Sequence, residues 1–384
     1  MILPPSILCM LGGGQLGRFF VSAAHELGYQ VWVLDPDGES PAGRLADRHL
    51  CATYEDTAVL DDIAARCAAV TIEFENVPAA TLAHLARRLP AHPAPKAVSI
   101  CQDRIAEKTF LHGNGFPHGR FAIIHGEMDI QSAHDNLFPG ILKVARFGYD
   151  GKGQAAVKDR TAALAAFRTF KSEACVLEQE LALDCEISVV LARDAKGRIR
   201  TFPVAENHHR RGILDISIVP ARNMPPSFAA DAGEIAGHIA ERLDYVGVLA
   251  VEFFVSEGRL FVNEMAPRPH NSGHYTLDTC FVSQYEQQVR TLCGLPLGEP
   301  QMRAPSVMVN LLGDLWFRNG AAKKEQEPDW TKLHAIPNLK LHLYGKRAAR
   351  PGRKMGHFTV VGENPDAVLK TALAARRGLG IGDD

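Results

Sequence analysis

Residues 248–265 read VLAVEFFVSEGRLFVNEM, two apolar runs on either side of Ser256-Glu257-Gly258. That tight-turn signal between strand-like runs predicts an antiparallel hairpin. Counting outward from the turn sets Glu252 nearly opposite Glu264 on the neighbouring strand. Two carboxylates so close repel unless a cation lies between them. Oxygen donors suit Mg²⁺, with Asn263 adding a neutral oxygen. On a solvated face the pair needs no explanation, but each glutamate interrupts an apolar run, where a buried carboxylate needs a partner. The stretch that follows, Ala266-Pro267-Arg268-Pro269-His270-Asn271-Ser272-Gly273-His274, is a polar loop. Beside a metal pair it predicts a substrate-binding surface.

Upstream, Phe147-Gly148-Tyr149-Asp150-Gly151-Lys152-Gly153-Gln154 follows a strand-like run containing Lys143 and ending at Arg146. Its three glycines predict a mobile flap whose backbone N–H groups approach polyphosphate oxygens. It is not a Walker A loop, because G-x-x-x-x-G-K-[ST] is absent. Near the N-terminus, Gly12-Gly13-Gly14-Gln15-Leu16-Gly17 matches G-x-G-x-x-G between a strand and a helix, and Asp35 ends the next strand. The pattern suits a dinucleotide, another phosphorylated or carboxylated ligand, or simply a turn closing a βα unit. The helix N-terminus offers unpaired N–H groups to an anion. Toward the C-terminus, Lys346, Arg347, Arg350, Arg353 and Lys354 place five cations in nine residues. Glycine and proline shape that loop, so it reads as a phosphate holder.

The first hundred residues alternate strands (6–11, 30–34, 70–74) with helices (15–27, 59–67, 81–89), then stop at Pro90, Pro93 and Pro95. This predicts a small Rossmann-like layer of parallel βαβ units. A compact α+β segment follows, with helices at 103–111 and 161–170 and strands at 121–124, 141–145 and 175–181. The remainder is richer in antiparallel signals, with a hairpin of 187–191 and 199–204 and helices at 231–242, 283–292 and 365–376.

The 384 residues are 46% hydrophobic and 22% charged, which excludes wholesale disorder and favours two or three domains. A net charge of −2 supplies no basic field for nucleic acid or anionic lipid. No apolar run approaches the roughly 18 residues of a membrane span, and no basic n-region starts a signal peptide, so the expected location is cytoplasmic. Eight cysteines with no C-x-x-C pair fit reduced thiols. His208-His209 lacks zinc-ligand spacing, and G-x-S-x-G is missing.

Taken together, GGGQLGR (12–18), TIEFENV (71–77), GYDGKGQ (148–154), ENHHRRGIL (206–214), NEMAPRPHNSGH (263–274) and YGK through RPGRKMGH (344–357) resemble one family over essentially the whole chain. It is the ATP-grasp family of 5-(carboxyamino)imidazole ribonucleotide synthetases of purine biosynthesis. The resemblance implies an N-terminal Rossmann-like (pre-ATP-grasp) domain at 1–102, a small lid domain at 103–177, and a larger C-terminal antiparallel-sheet domain at 178–384. It implies ATP with two Mg²⁺ ions, bicarbonate and aminoimidazole ribonucleotide as co-substrates, and a homodimer.

Residue by residue, Arg104 and Lys143 are expected on the ATP phosphates, with Gly148, Tyr149, Asp150, Gly151, Lys152, Gly153 and Gln154 closing over them. Glu178, Gln179, Glu180 and Leu181 are expected at the adenine, Glu186 at the ribose and His209 near the nucleotide. Glu252 and Glu264, beside Asn263, are expected to hold the metal. The ribonucleotide is expected among Gln15, Leu16, Glu75, Asn76, Arg268, His270, Asn271, Ser272 and His274, with Lys346 and Arg353 on its phosphate. Asp150, Lys143 and Arg268 form the expected catalytic set. Phe147 departs from the family pattern, where a further glycine is usual. Other ATP-grasp ligases, such as a formate-using glycinamide ribonucleotide transformylase or a biotin carboxylase, keep the flap and glutamate pair but not the last two blocks. An NAD-dependent oxidoreductase leaves flap and pair unused, and the intact Lys143, Glu252 and Glu264 weigh against an inactive nucleotide binder.

Overall fold

Strand Ile7–Leu11 runs into three glycines, and helix Gln15–Glu26 starts directly after them. The helix buries Leu16, Phe20, Val21, Ala23 and Ala24, an apolar stripe at helical spacing. In this computed structural model, which describes residues 1–148, 151–317 and 325–382, three sheets are built in succession along the chain. The first is parallel, in the order Arg48–Leu50, Gln30–Leu34, Ile7–Leu11, Ala69–Ile72. Its strands are almost continuously apolar because helices cover both faces. Gly12 and Glu73 immediately follow two adjacent strand ends, the position where open parallel sheets bind ligands.

The second sheet is antiparallel: Phe121–Ile124, Cys175–Gln179, Gly140–Val144, Gln154–Val157. Ile130 of helix Glu127–Ser132 and Phe167 of helix Arg160–Thr169 cover it, packed with Leu142 and Leu177. The third has nine strands. Its path runs Arg259–Ala266, Gly247–Ser256, Cys185–Arg193, Ala205–Arg210, Ile213–Val219, Ser306–Leu312, Lys354–Val361, Leu339–Leu343, with Ile199–Thr201 paired to Cys185–Arg193. Strand alternation sends Val189, Leu191 and Val251 to one face against helix Pro226–Arg242, and Val190, Ala192 and Ala250 to the other with Tyr275. Helix Gln284–Cys293 joins the layers, because its Tyr285, Val289 and Leu292 enter the core of the parallel sheet beside Leu8 and Phe20.

Two sequence expectations need correction. The proline cluster does not end regular structure: helix Pro95–Cys101 begins on Pro95, at the first turn, where no N–H is required. Strand 199–204 stops at Thr201, whereas 205–219, to which the sequence reading assigns no strand, forms two paired strands. Arg211 and Gly212 turn between them with φ of 53° and 76°.

Candidate active site

The parallel sheet's strand ends, the flap strands and the glutamate hairpin converge on a cavity of about 500 Å³. On the hairpin, Glu252 lies opposite Glu264; counting strictly from the turn faces it with Asn263, and a bulge between Glu252 and Phe253 shifts the pairing by one residue. Burial and the neighbouring Glu264 raise the Glu252 carboxyl to about 7. His209 approaches from strand Ala205–Arg210, its Nδ1 3.1 Å from Glu186 Oε2. Burial opposes its protonation, but Glu186 and Glu252 outweigh that and raise its pKa. His270 Nε2 lies 3.5 Å from Glu252, yet burial and Arg268 keep this imidazole neutral. Asn263 Oδ1 is buried with no hydrogen-bond partner among the described residues. Two facing carboxylates and an orphaned amide oxygen form the all-oxygen donor set that suits Mg²⁺.

Helix Arg104–Gly113 supplies the cationic wall. Its N-cap Asp103 accepts from Ile105 and Ala106 N–H, fixing where the helix starts. Arg104, Glu107 and Lys108 share one face at i, i+3 and i+4. Arg104 pairs with Glu264 at 3.2 Å, and Met265 N–H donates to Glu107 at 2.5 Å. Burial, with Glu264 nearby, raises Glu107 to about 8 against the pull of Lys108. Lys143, on strand Gly140–Val144, lies 3.1 Å from Glu178, and Lys108 lies 3.2 Å from the same carboxylate. Burial disfavours the Glu178 charge, but Lys108 and Lys143 overcome it and hold the group at about 2. Gly148, Gly151 and Gln154 of the flap line the cavity.

On the opposite wall, Arg268 pairs with Glu75 at 2.6 Å. Gln284 holds the loop from both sides, accepting from His270 N–H at 2.9 Å and donating to His270 O at 2.8 Å. Both polar side-chain atoms of Asn271 are buried without partners among the described residues, and Asn271 lines the cavity. The glycine turn forms the floor through Gln15 and Leu16. A β-carbon at Gly14 meets Glu73 Oε1 at 2.3 Å, so only glycine lets that carboxylate come so close.

Most expected residues are brought together here: Gln15, Leu16, Glu75, Asn76, Arg104, Lys143, Gly148, Gly151, Gln154, Glu186, His209, Glu252, Asn263, Glu264, Arg268, His270 and Asn271 all line the cavity. Tyr149 and Asp150 lie outside the described residues. Five groups of expected residues are placed otherwise. The glycine-turn N–H groups are not open to an anion: Gly14 and Gly17 N–H each donate to Glu73 at 2.6 Å, and Gly13 N–H donates to Asp35 at 2.7 Å. Glu178, Gln179, Glu180 and Leu181 are not lining residues, and Glu178 is turned to its two lysines; Leu183 and Phe254 present the apolar surface instead. Ser272 and His274 are fully buried, Ser272 bonded to Ser188 and His274 to Tyr285. Lys346 and Arg353 are not lining residues; Lys346 Nζ and Arg353 Nη1 donate to backbone carbonyls of Lys354 and Ala348, while Lys354 itself lines the cavity. Within the flap, Lys152 and Gly153 also stand outside the lining. Gly153 has φ 72°, and a β-carbon there meets Val144 at 2.5 Å.

Three family models match in succession: a ribonucleotide synthetase preATP-grasp domain at 6–102, an ATP-grasp domain at 109–285, and a phosphoribosylaminoimidazole carboxylase C-terminal domain at 306–371. The N5-carboxyaminoimidazole ribonucleotide synthase of Bacillus subtilis (strain 168) is 39% identical over 368 residues, 95% of this chain and 94% of that protein. That of Brucella melitensis is 41% identical over 93% of this chain and 96% of its own. The chain belongs to the N5-carboxyaminoimidazole ribonucleotide synthase family. Its fold agrees: an ADP complex of an N5-carboxyaminoimidazole ribonucleotide synthetase superposes with TM-score 0.90 at 36% identity, covering 99% of this chain and 98% of that one. The Aspergillus clavatus N5-carboxyaminoimidazole synthase, solved with ADP and 5-aminoimidazole ribonucleotide, gives 0.86 at 29% identity over 97% of each chain. This synthase family is one of ATP-grasp ligases, so the glycine-rich turn marks a pre-ATP-grasp layer rather than an NAD site.

Sequence reasoning missed Glu73, Gln102, Glu107 and Lys108 as parts of this synthase site. Glu73 had a signal, since TIEFENV places it two residues before Glu75. Lys108 had a weaker one, sharing a helical face with Arg104.

Proposed function

We propose that this protein catalyses the ATP-dependent carboxylation of 5-aminoimidazole ribonucleotide by bicarbonate, giving N5-carboxyaminoimidazole ribonucleotide, ADP and phosphate in purine biosynthesis. The observation that carries the reading is one cavity in which the Glu252/Glu264 pair stands between the Arg104–Lys143 wall and the Arg268–Asn271 loop. Nucleotide phosphates on one side and an aminoribonucleotide on the other then meet at the carboxylate pair.

The chemistry explains the need for both walls. Bicarbonate is a poor electrophile because hydroxide leaves badly, so its oxygen first attacks the γ-phosphorus, releasing ADP and forming carboxyphosphate. Lys143, Arg104 and flap N–H groups face the charge that develops in this step, and losing one such donor typically costs about 3–4 kcal/mol of barrier. Mg²⁺, held by Glu252, Glu264 and Asn263, supplies electrostatic neutralisation of the phosphates when bound. Carboxyphosphate, or CO₂ released from it, meets the exocyclic amine; a C–N bond forms, phosphate departs and the amine loses a proton. Arg268, positioned by Glu75, and the neutral His270 orient the reacting groups, and Lys354 on the cavity wall joins Lys346 and Arg353 in facing the ribonucleotide phosphate. Because water destroys the intermediate, the flap 148–154 must cover the site, with Asp150 steering the bicarbonate-derived group.

The reading includes domains at 1–102, 103–177 and 178–384 and a cytoplasmic homodimer, with no nucleic-acid or membrane partner. Among the described residues no helix is long and apolar enough to cross a membrane. Phosphate release from Mg·ATP with bicarbonate, measured with and without aminoimidazole ribonucleotide, tests the function. Release that depends on the ribonucleotide is expected. Release indifferent to it reopens the acceptor.

A further inference from the structure

Two buried lysines share one carboxylate in this site. Lys108 Nζ lies 3.2 Å from Glu178 Oε2, and Lys143 Nζ lies 3.1 Å from Glu178 Oε1. The two ammonium groups differ in what they can reach. Lys143 lines the cavity, whereas Lys108 is 1% exposed and does not line it. Lys108 also donates to the backbone oxygen of Asn263 at 3.0 Å, which ties it to the strand carrying Glu264. Its neighbours on the same helical face hold that strand too, Arg104 through Glu264 and Glu107 through Met265 N–H. Lys108 is therefore fixed from two sides, and Lys143 is the cation of the pair with access to a ligand.

This arrangement answers a difficulty in the nucleotide reading. A lysine locked to a buried carboxylate is a poor phosphate ligand, because turning to the phosphate strips that carboxylate of its counter-ion. With Lys108 in place, Glu178 keeps a cation whichever way Lys143 points. We propose that Lys108 is a positioning residue: it neutralises Glu178 permanently, so that Lys143 is released to the nucleotide phosphates, and it links that release to the metal-bearing strand. The inference rests on the nucleotide role of Lys143 proposed above.

The test is the dissociation constant of Mg·AMP-PNP, measured by isothermal titration calorimetry on the full-length protein. Lys108→Met keeps the length of the side chain and removes its charge. Glu178 is then left to Lys143 alone, and the dissociation constant is expected to rise tenfold or more. Lys108→Arg, which restores a cation with a different shape, is expected to stay within threefold of the unmodified protein. The decisive variant is Lys108→Met combined with Glu178→Gln. No carboxylate then detains Lys143, and binding is expected to return to within threefold of the unmodified protein. The KM for aminoimidazole ribonucleotide should move less than twofold throughout. A double variant as weak as Lys108→Met or weaker, or a Lys108→Arg variant equally weak, assigns Lys108 a packing role and overturns the proposal. Should Lys108→Met fail to fold, the double variant and Lys108→Arg carry the same decision. An unmodified protein that binds no nucleotide refutes the proposed function itself, which keeps the two failures apart.

Discussion

Replacing Glu73 with Gln tests the least expected feature of the site, a carboxylate occupying the N-terminus of helix Gln15–Glu26. Glu73 offers one oxygen to Gly14 N–H and the other to Gly17 N–H, both at 2.6 Å. Burial raises its pKa, and the two N–H bonds only partly offset that. A carboxamide has the same shape but a single oxygen. One N–H keeps its acceptor, and the other faces an NH₂ group. Hydrogen bonds to a charged acceptor contribute about 1.5–3 kcal/mol each, and an unsatisfied donor carries its own desolvation cost of about 1–3 kcal/mol. Because Glu73 borders the cavity, where water can reach the abandoned N–H, the expected loss is roughly 2–4 kcal/mol. Urea unfolding of the metal-free protein measures it. Gln15 and Leu16 sit on the turn that Glu73 fixes, so the KM for aminoimidazole ribonucleotide should rise about tenfold while that for ATP stays within twofold. Unchanged stability together with tighter binding of ribonucleotide or inorganic phosphate refutes the reasoning. The helix N-terminus would then be an open anion site, as the glycine pattern alone suggests.

Glu264→Gln should abolish ribonucleotide-dependent phosphate release while leaving the far-ultraviolet circular dichroism unchanged; near-normal turnover removes Glu264 from the metal set. Lys354→Met should raise the KM for aminoimidazole ribonucleotide at least tenfold, with a smaller change for ATP, and Lys346→Met should act more weakly on the same constant. The reverse ranking returns the phosphate to Lys346. Glu107, at about 8 in the folded protein, keeps a proton that an unfolded chain loses near the ordinary value of 4.5. Its contribution therefore makes the metal-free protein less stable as pH rises through that window, by on the order of a few kcal/mol. Glu107→Gln should flatten the melting temperature between pH 5 and 8, and an unaltered slope assigns the titration to other groups.

The parts legible in the sequence are those fixed by local rules. Three glycines between an apolar run and a 3.6-residue period specify the first βα unit. The Ser256-Glu257-Gly258 turn sets the hairpin's pairing as far as Phe253 opposite Val262, but it is a bulge at the next residue that brings Glu252 opposite Glu264 rather than Asn263, so the turn alone leaves the pair one residue out of register. The parts that stayed hidden depend on contacts far apart in the chain. Glu73 reaches a turn 59 residues away, and Lys108, on a helix, reaches a carboxylate on a strand of the second sheet. Within NEMAPRPHNSGH, composition does not separate the residues that face substrate from those that hold the loop. Only the fold shows His274 entering a stack with His357 at 4.5 Å, and His357 in turn meeting His342 at 4.6 Å. The basic run 346–354 misleads for the same reason. Its charge density is visible, but which cation enters the cavity depends on where strand Lys354–Val361 begins.

The charge of the cavity lining bears on the metal more directly than the carboxylate pair alone. Glu73, Glu75, Glu107, Glu186, Glu252 and Glu264 line it, six carboxyls against the four cations Arg104, Lys143, Arg268 and Lys354. Such a lining does not by itself attract a nucleoside triphosphate, bicarbonate and a ribonucleotide phosphate, all anions. Burial first, and then the neighbouring Glu264, raise Glu252 and Glu107, so these are the carboxyls that carry protons in the metal-free cavity. On the proposed function, divalent cations at the glutamate pair would relieve the excess in the other direction, displacing the proton of Glu252 and offsetting the acidic lining before three anionic substrates enter. On that reading the acidic lining would make nucleotide binding conditional on the metal, tying occupation of the phosphate wall to occupation of the Glu252/Glu264 hairpin.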